Sequence, residues 1–473
     1  MKKLNKNELV EVDVETLALG GKGVAHLNGF TVMIKGALPQ QKIEAQITRR
    51  KKNYAEAKMK TILTQSPDAV SPRCEYFGTC GGCSFQNLAY EEQLNQKQRQ
   101  VKETLEHLGG FSNIEVDQII PSAEIFFYRN KMEYSFSNQR WLLPEEIKTS
   151  QIVDNNFALG LHIPNKFDKV LDIHQCFLLS ERSNEILNYV RQYAKTSGLR
   201  PYATKNYSGF WRFLVFRESK TLSQFMINLV TADHVKGEKE VAKLADKLKE
   251  EFPFVTTFIH NINRKKAQVA FGDEERIIYG PGYIEEKLGT KKYRISANSF
   301  FQTNTLGAEK MYELIAELGE LDKSQVVYDL YSGTGSIGIF ISDRVKKVVG
   351  CELIQHAIED AKMNCLLNNI NNCEFIQGDL LKIIADPQDL LQQHESPDVV
   401  IIDPPRSGMH PKLPEKIIQL NPQKIIYVSC KPATLARDLK VLCESAFKIS
   451  RVQPIDMFPH TAHCETVVLL IRN

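Results

Sequence analysis

The chain has 473 residues, 42% of them hydrophobic and 25% charged, with a formal net charge of only +3. That is ordinary globular composition with material for two to four domains, and no apolar run approaches the ~18 residues of a membrane span. Ten cysteines behind an N-terminus (MKKLNKNELVEVDVETL) without an apolar signal segment are expected to be reduced thiols or metal ligands of a cytoplasmic protein, not a disulfide framework.

Residues 3–65 read as β structure. The stretches LVEVDVETLAL, FTVMIKGAL, KIEAQIT and AEAKMKTIL are separated by glycines at 20, 21 and 23, Asn28-Gly29 and Pro39, a spacing that suits a small barrel. The average charge does not announce nucleic acid. Residues 42–60, however, gather seven Lys or Arg against two Glu, with Arg49, Arg50, Lys51 and Lys52 at the predicted hairpin tip. The run is either a solvated loop or an electrostatic footprint for a phosphate backbone. Ser66-Pro67-Asp68 and Ser71-Pro72 read as a linker.

Cys74, Cys80 and Cys83 follow as C-x5-C-x2-C, with glycines at 78, 81 and 82 that allow a loop to wrap a cluster. Three close cysteines need a fourth ligand. Residues 88–108 are polar and helical, and Gly109-Gly110 stops them. From about 119 to 285 the pattern is mostly strand-like (MEYSF, FALGLHI, WRFLVFRE, QFMINLVT), with helices expected near 180–196 and 235–250. From about 290, helical segments alternate with short apolar strands: QVVYDLYS, KVVGCEL, DVVIIDPP, KIIYVSC and TVVLLIRN. Such strands, buried on both faces, mean a parallel α/β sheet. The expected organisation is a multidomain α/β protein divided at 1–66, 67–287 and 288–473.

The last domain carries the chemistry. VVYDLYSGTGSIGIF (326–340) is a strand, a glycine turn and a helix start, and Gly333 and Gly335 let the backbone approach a ligand. Alone it is also an ordinary βα turn. Glu352 stands at the tip of the second strand, where an acid can accept from ribose hydroxyls, and Asp379 at the tip of the third. The two acids favour a nucleoside. Ser336 is present but no P-loop lysine, so a cofactor without phosphates fits better, and S-adenosylmethionine is expected. Asp403 ends the fourth strand, and Pro404-Pro405 stiffen the loop behind it.

Cys430 ends the next strand and faces the same crevice. A free cysteine is most often a small buried hydrophobe. Lys431 and a helix starting at Pro432 are nevertheless expected to lower its pKa, as suits a nucleophile. Addition of a thiolate to C6 of uracil makes an enolate, and its C5 can attack a sulfonium methyl. A base must then remove the C5 proton so that the sulfur can leave. DMFPHTAHCETVVLL (456–470) offers His463 and Glu465.

ANSFFQTN, DLYSGTGSIG, IDPPRSG, SCKPATLARDL and DMFPHTAHCE together resemble the signatures of the RNA uracil-5-methyltransferases, specifically the bacterial 23S rRNA type with an N-terminal TRAM domain. The resemblance covers essentially the whole chain. It implies an OB-like TRAM barrel, a central α+β domain with an Fe–S loop that contacts RNA, and a Rossmann-like class I methyltransferase domain. It implies a monomer, without a membrane partner, that methylates C5 of a uridine in 23S rRNA. Cys430 would be the nucleophile and Glu465 the proton acceptor. Gln302, Tyr331, Ser336, Glu352, Asp379 and Asp403 match the S-adenosylmethionine positions. Cys74, Cys80, Cys83 and Cys176 (in DIHQC) would hold a [4Fe–4S] cluster, with zinc as the alternative. Lys431 and Ser336 stand where the family commonly has asparagine. The related cytosine-5 enzymes place their nucleophile in the loop after the fourth strand, where this chain has Arg406. Phe300 and Phe301 are expected either as base-stacking platforms or as core. The rival readings are a tRNA uracil-5-methyltransferase and a non-catalytic RNA-binding Fe–S protein.

Overall fold

The computed structural model describes residues 4–148, 155–166 and 168–473; residues 1–3, on which the reading of the N-terminus partly rests, lie outside them. In the first sixty residues, strands such as Leu9–Asp13 and Lys42–Arg50 bury every second side chain, which gives each one apolar face. Six strands pair into one sheet, and its inward residues, among them Val10, Val12, Val32, Ile34, Ile43 and Ile47, form a core of their own. Lys42–Arg50 and Tyr54–Thr64 make an antiparallel hairpin. Arg49, Arg50, Lys51 and Lys52 are exposed at its tip.

The helix Tyr90–Thr104 follows, runs on through one π turn, and ends at Gly110 in the left-handed region (φ 77°). Its buried residues are mostly polar: Gln93, Gln96, Lys97, Gln100 and Thr104 beside Val101. Next comes a mixed sheet with eight strands among the described residues. The helices Glu181–Thr196 and Gly237–Glu251 pack Ile186, Leu187, Val190, Leu244 and Leu248 into the same core as Trp211 and Phe216 of that sheet.

The C-terminal sheet has seven strands among the described residues: β1 (Val326–Leu330), β2 (Lys347–Glu352), β3 (Cys373–Gln377), β4 (Val399–Ile402), β5 (Lys424–Ser429), β6 (Phe447–Ile455) and β7 (Glu465–Arg472). Their spatial order is β3-β2-β1-β4-β5-β7-β6. β1 to β5 are parallel, and β7 runs antiparallel between β5 and β6. The carboxyl ends of β1 to β6 and the amino end of β7 therefore share one edge, where open α/β sheets bind ligands. No helix among the described residues is long and apolar enough to cross a membrane.

Candidate active site

Strand register brings the two chemical residues together. Ser429 of β5 pairs with Thr466 of β7. The residues next in that register are Cys430, just past the end of β5, and Glu465, which pairs with Ile455 of β6 and acts electrostatically on the Cys430 thiol. Asp403 lies at the adjacent tip of β4, directly after Ile402.

Burial pushes the Cys430 thiol up, Glu465 and Asp403 push the same way, and Arg406 beside it pulls it down. The expected lowering by Lys431 and the helix N-terminus is therefore corrected in both direction and cause. Lys431 is exposed at the head of the helix Pro432–Ser445, and the cation that acts on the thiol comes from the loop after β4. Burial, reinforced by Asp403, raises the Glu465 carboxyl to about 8, with Arg406 opposing. Desolvation alone holds half-buried Asp403 at about 7.

An Arg406 guanidinium nitrogen lies 2.7 Å from Nδ1 of His463 and 3.2 Å from Nε2. A guanidinium only donates, so Nδ1 carries a lone pair and the imidazole is neutral. Burial and Arg406 hold His463 down at about 4. Of the two candidate bases, Glu465 thus binds a proton far more tightly. The sequence reading used Arg406 only as the absence of a cysteine. The available signal was a cation in a proline-stiffened loop at the tip of an acid-bearing strand.

The residues expected at the cofactor site gather around the glycine turn. Tyr331 takes φ 64°, a strained value for a bulky side chain. Gly333 (φ 54°) has nothing within 4 Å of where a Cβ would stand, whereas at Gly335 a Cβ would fall 2.8 Å from the Phe375 ring. The turn is thus open at Gly333 and packed at Gly335. The Glu352 carboxylate accepts from Gly333 N at 3.0 Å and from Ile354 N at 2.8 Å, which fixes it beside the opening. Ser336 begins the next helix with its hydroxyl 2.9 Å from Tyr312 OH. Exposed Asp379 caps the short helix after β3, accepting from Leu381 N at 2.9 Å. The loop 297–304 lies against the turn, since the Thr334 hydroxyl donates to Phe300 O at 3.2 Å. It carries Gln302, whose carbonyl accepts from Asn130 at 2.8 Å. Phe301 is buried against Tyr293 and belongs to the core, while Phe300 is 65% exposed. Only Phe300 remains available for stacking. Asp329 of β1, which the sequence reading passed over, is a further buried acid; it accepts from Gly338 N at 3.1 Å, and burial holds it at about 7.

Cys74, Cys80, Cys83 and Cys176 line a single cavity in the central domain. Gly82 N donates to the Cys80 sulfur and Gln86 to the Cys83 sulfur, both at 3.3 Å. Burial raises all four thiols, Cys80 and Cys176 to about 12. Among the described residues, no three or more His, Cys, Asp or Glu side chains converge closely enough to hold a single metal ion. The four thiols share the cavity, with N–H groups turned toward two of the sulfurs.

The doubly wound sheet, the open glycine turn and the acids at successive strand tips define a methyltransferase domain, here with a thiol near a buried carboxyl. The family described as tRNA (Uracil-5-)-methyltransferase matches residues 219–473, and the TRAM domain matches residues 3–60. An uncharacterized RNA methyltransferase of Chlorobaculum tepidum is 41% identical over 447 residues, 94% of this chain and 92% of that relative. Another, of Porphyromonas gingivalis, is 38% identical over 472 residues, covering 98% of this chain and all of the relative. A similar solved structure is the Pyrococcus abyssi tRNA (uracil-54, C5)-methyltransferase in complex with S-adenosyl-L-homocysteine, with a TM-score of 0.75, 29% identity and coverage of 98% of this chain and 99% of that one. The chain belongs to the family of S-adenosylmethionine-dependent RNA uracil-5-methyltransferases, with an N-terminal TRAM domain.

Proposed function

We propose that this protein transfers a methyl group from S-adenosylmethionine to C5 of a uridine in 23S rRNA through a covalent Cys430–C6 adduct. The observation that carries the mechanism is the Ser429–Thr466 register, whose next residues are Cys430 and Glu465, together with the electrostatic action of the Glu465 carboxyl on the Cys430 thiol. The target uracil leaves its stack to enter the site. The Cys430 proton passes to water and its sulfur bonds C6; the C5–C6 π electrons move to C4–C5 as the C4=O4 π electrons move onto O4. C5 of this enolate bonds the sulfonium methyl as the old S–CH3 bond breaks. Glu465, as carboxylate, takes the C5 proton; the C5–C6 double bond re-forms and expels the Cys430 thiolate. Arg406 lowers the cost of negative charge on both Cys430 and Glu465. Tyr331, Ser336, Glu352, Asp379, Asp403 and Gln302 hold the methyl donor around the glycine turn.

Cys74, Cys80, Cys83 and Cys176 hold a [4Fe–4S] cluster in this reading, as their shared cavity supports. Its role is structural: methyl transfer needs no electron, and no step runs through it.

One observation favours a second reading, a tRNA target. The similarity to the tRNA (uracil-54, C5) enzyme runs over 98% of this chain, barrel included, so the barrel by itself does not choose rRNA. Mass mapping of 5-methyluridine in both RNAs from a strain lacking the protein separates the two. Loss of a methyl group from 23S rRNA supports the first reading, and loss from tRNA alone overturns it.

A further inference from the structure

The Tyr90–Thr104 helix lies outside the methyltransferase domain and supplies none of the site residues. Its polar face is fastened to the segment 456–464, which leads into Glu465. Lys97 and Asp456 form an ion pair at 2.7 Å with neither side chain exposed. Lys97 also donates to Phe458 O at 3.1 Å, and Asp456 accepts from Phe458 N at 3.1 Å. One turn earlier, Gln93 brackets His460: it accepts from the backbone N at 2.9 Å, and its amide nitrogen lies 3.2 Å from ring Nδ1. The His460 carbonyl accepts from the Ser84 and Phe85 amides at 2.7 and 3.0 Å, and its ring packs 4.4 Å from that of Phe126.

His460 has φ 63°. A side chain of this size rarely adopts that conformation, and it persists only where its surroundings over-determine it. Here the surroundings come from another part of the chain. The segment is bounded by Ile455 and Glu465, which pair across β6 and β7, so its shape sets where β7 begins. A buried ion pair is a poor source of stability but a good source of fixed geometry.

We propose that Lys97 is a positioning residue for the reaction: with Gln93 it holds the segment 456–464 in the one shape that turns Glu465 toward Cys430. This rests on the roles given above to Cys430 and Glu465. A loosened segment leaves the thiol and the glycine turn intact, so addition and methyl transfer proceed. Proton removal at C5 then fails, and methylated adduct accumulates.

The test uses the full chain with Lys97→Met, and with Lys97→Met combined with Asp456→Asn. The single variant strands a buried carboxyl and can fail to fold, whereas the double variant leaves no buried charge and keeps the acceptor for Phe458 N. The expected results are S-adenosylmethionine binding within about twofold of wild type and a single-turnover rate of methyl transfer to RNA within about threefold. Turnover falls at least tenfold, and a denaturation-resistant, methylated protein–RNA species appears. Wild-type turnover without adduct in the folded variants overturns the proposal, as does a loss confined to KM or to cofactor binding. Glu465→Gln, run in parallel, separates the two levels. If Glu465→Gln traps adduct and the Lys97 variants do not, only the positioning role fails. If Glu465→Gln traps none, the base assignment fails and the positioning role goes with it.

Discussion

Glu465→Gln keeps the shape of the side chain and removes its ability to take a proton. Burial, and secondly Asp403, hold the Glu465 carboxyl at about 8, against an ordinary value of 4.5. Between those values the folded chain keeps a proton that the unfolded chain has lost. The unfolded state binds fewer protons there, so stability falls as pH rises from 4.5 to 8. At pH 7 the interval crossed is about 2.5 units, and at ~1.4 kcal/mol per unit the carboxyl costs about 3 kcal/mol. An amide has no such interval. The thermal midpoint of the variant should therefore gain on that of wild type as pH rises, by roughly 6–12 °C at pH 7 for a domain of this size. Activity should move the other way. Loss of a positioned general base slows turnover by roughly 10²- to 10⁴-fold, and methylated adduct should accumulate on denaturing gels because attack is untouched. In wild type, kcat should rise with pH through about 8 as the carboxylate forms, and the variant should lose that limb. Wild-type turnover with no adduct and an unchanged pH profile would refute the reasoning, and His463 or a water molecule would replace Glu465 as the base.

Cys430→Ala should abolish both turnover and adduct while leaving S-adenosylmethionine binding intact; substantial methylation by it would end the covalent mechanism. Arg406→Met removes the cation that opposes the upward shift of Cys430, so alkylation of the Cys430 peptide by iodoacetamide should shift to higher pH, and an unmoved profile would show that Arg406 serves only His463. Protein made anaerobically should be brown, with about four irons per chain, and should lose them when Cys74, Cys80, Cys83 or Cys176 is replaced by Ser; stoichiometric zinc without sulfide would exclude the cluster. Replacing Arg49, Arg50, Lys51 and Lys52 together by Ala should weaken RNA binding and flatten its salt dependence, each true phosphate contact contributing a slope of roughly 0.7 to 0.9. The methylated position should not change, and an unaltered slope would make the run a solvated loop.

What the sequence made legible follows from what a linear pattern can carry. Continuous apolar runs ending in an acid or a thiol marked the strands, and their carboxyl ends are where ligands bind, so Glu352, Asp379, Asp403 and Cys430 could be placed along one edge. The pairing of Cys430 with Glu465 was only half legible, because it depends on β7 inserting antiparallel between β5 and β6. The cation at the thiol was misassigned for a related reason. Lys431 is its neighbour in the chain but points to solvent, whereas Arg406 reaches it through space and contacts His463, 57 residues further on. Phe300 and Phe301 read alike, and only burial separates a platform from core. Cys176 entered through family resemblance, since nothing in the local pattern ties it to residues 74–83.

The polar helix is the feature that periodicity could least reveal, because its buried face is built from residues that normally mark a solvated one. A buried polar face is a costly way to join two parts of a chain, yet it does something an apolar face does not. Apolar surfaces tolerate a slip, since contact is non-directional. Here Gln96 accepts from Leu17 N at 3.0 Å and from the Thr16 hydroxyl at 2.9 Å, and Gln100 donates to Leu17 O at 2.9 Å. These bonds seat the edge of the TRAM sheet on the helix, while Gln93 and Lys97 on the same helix grip the segment before Glu465. A slip of one residue would leave each of these buried groups without a partner, at about 1–3 kcal/mol apiece. The helix thus permits one register between the TRAM sheet and the base, so an RNA that bound the exposed hairpin tip would meet Cys430 across a fixed span.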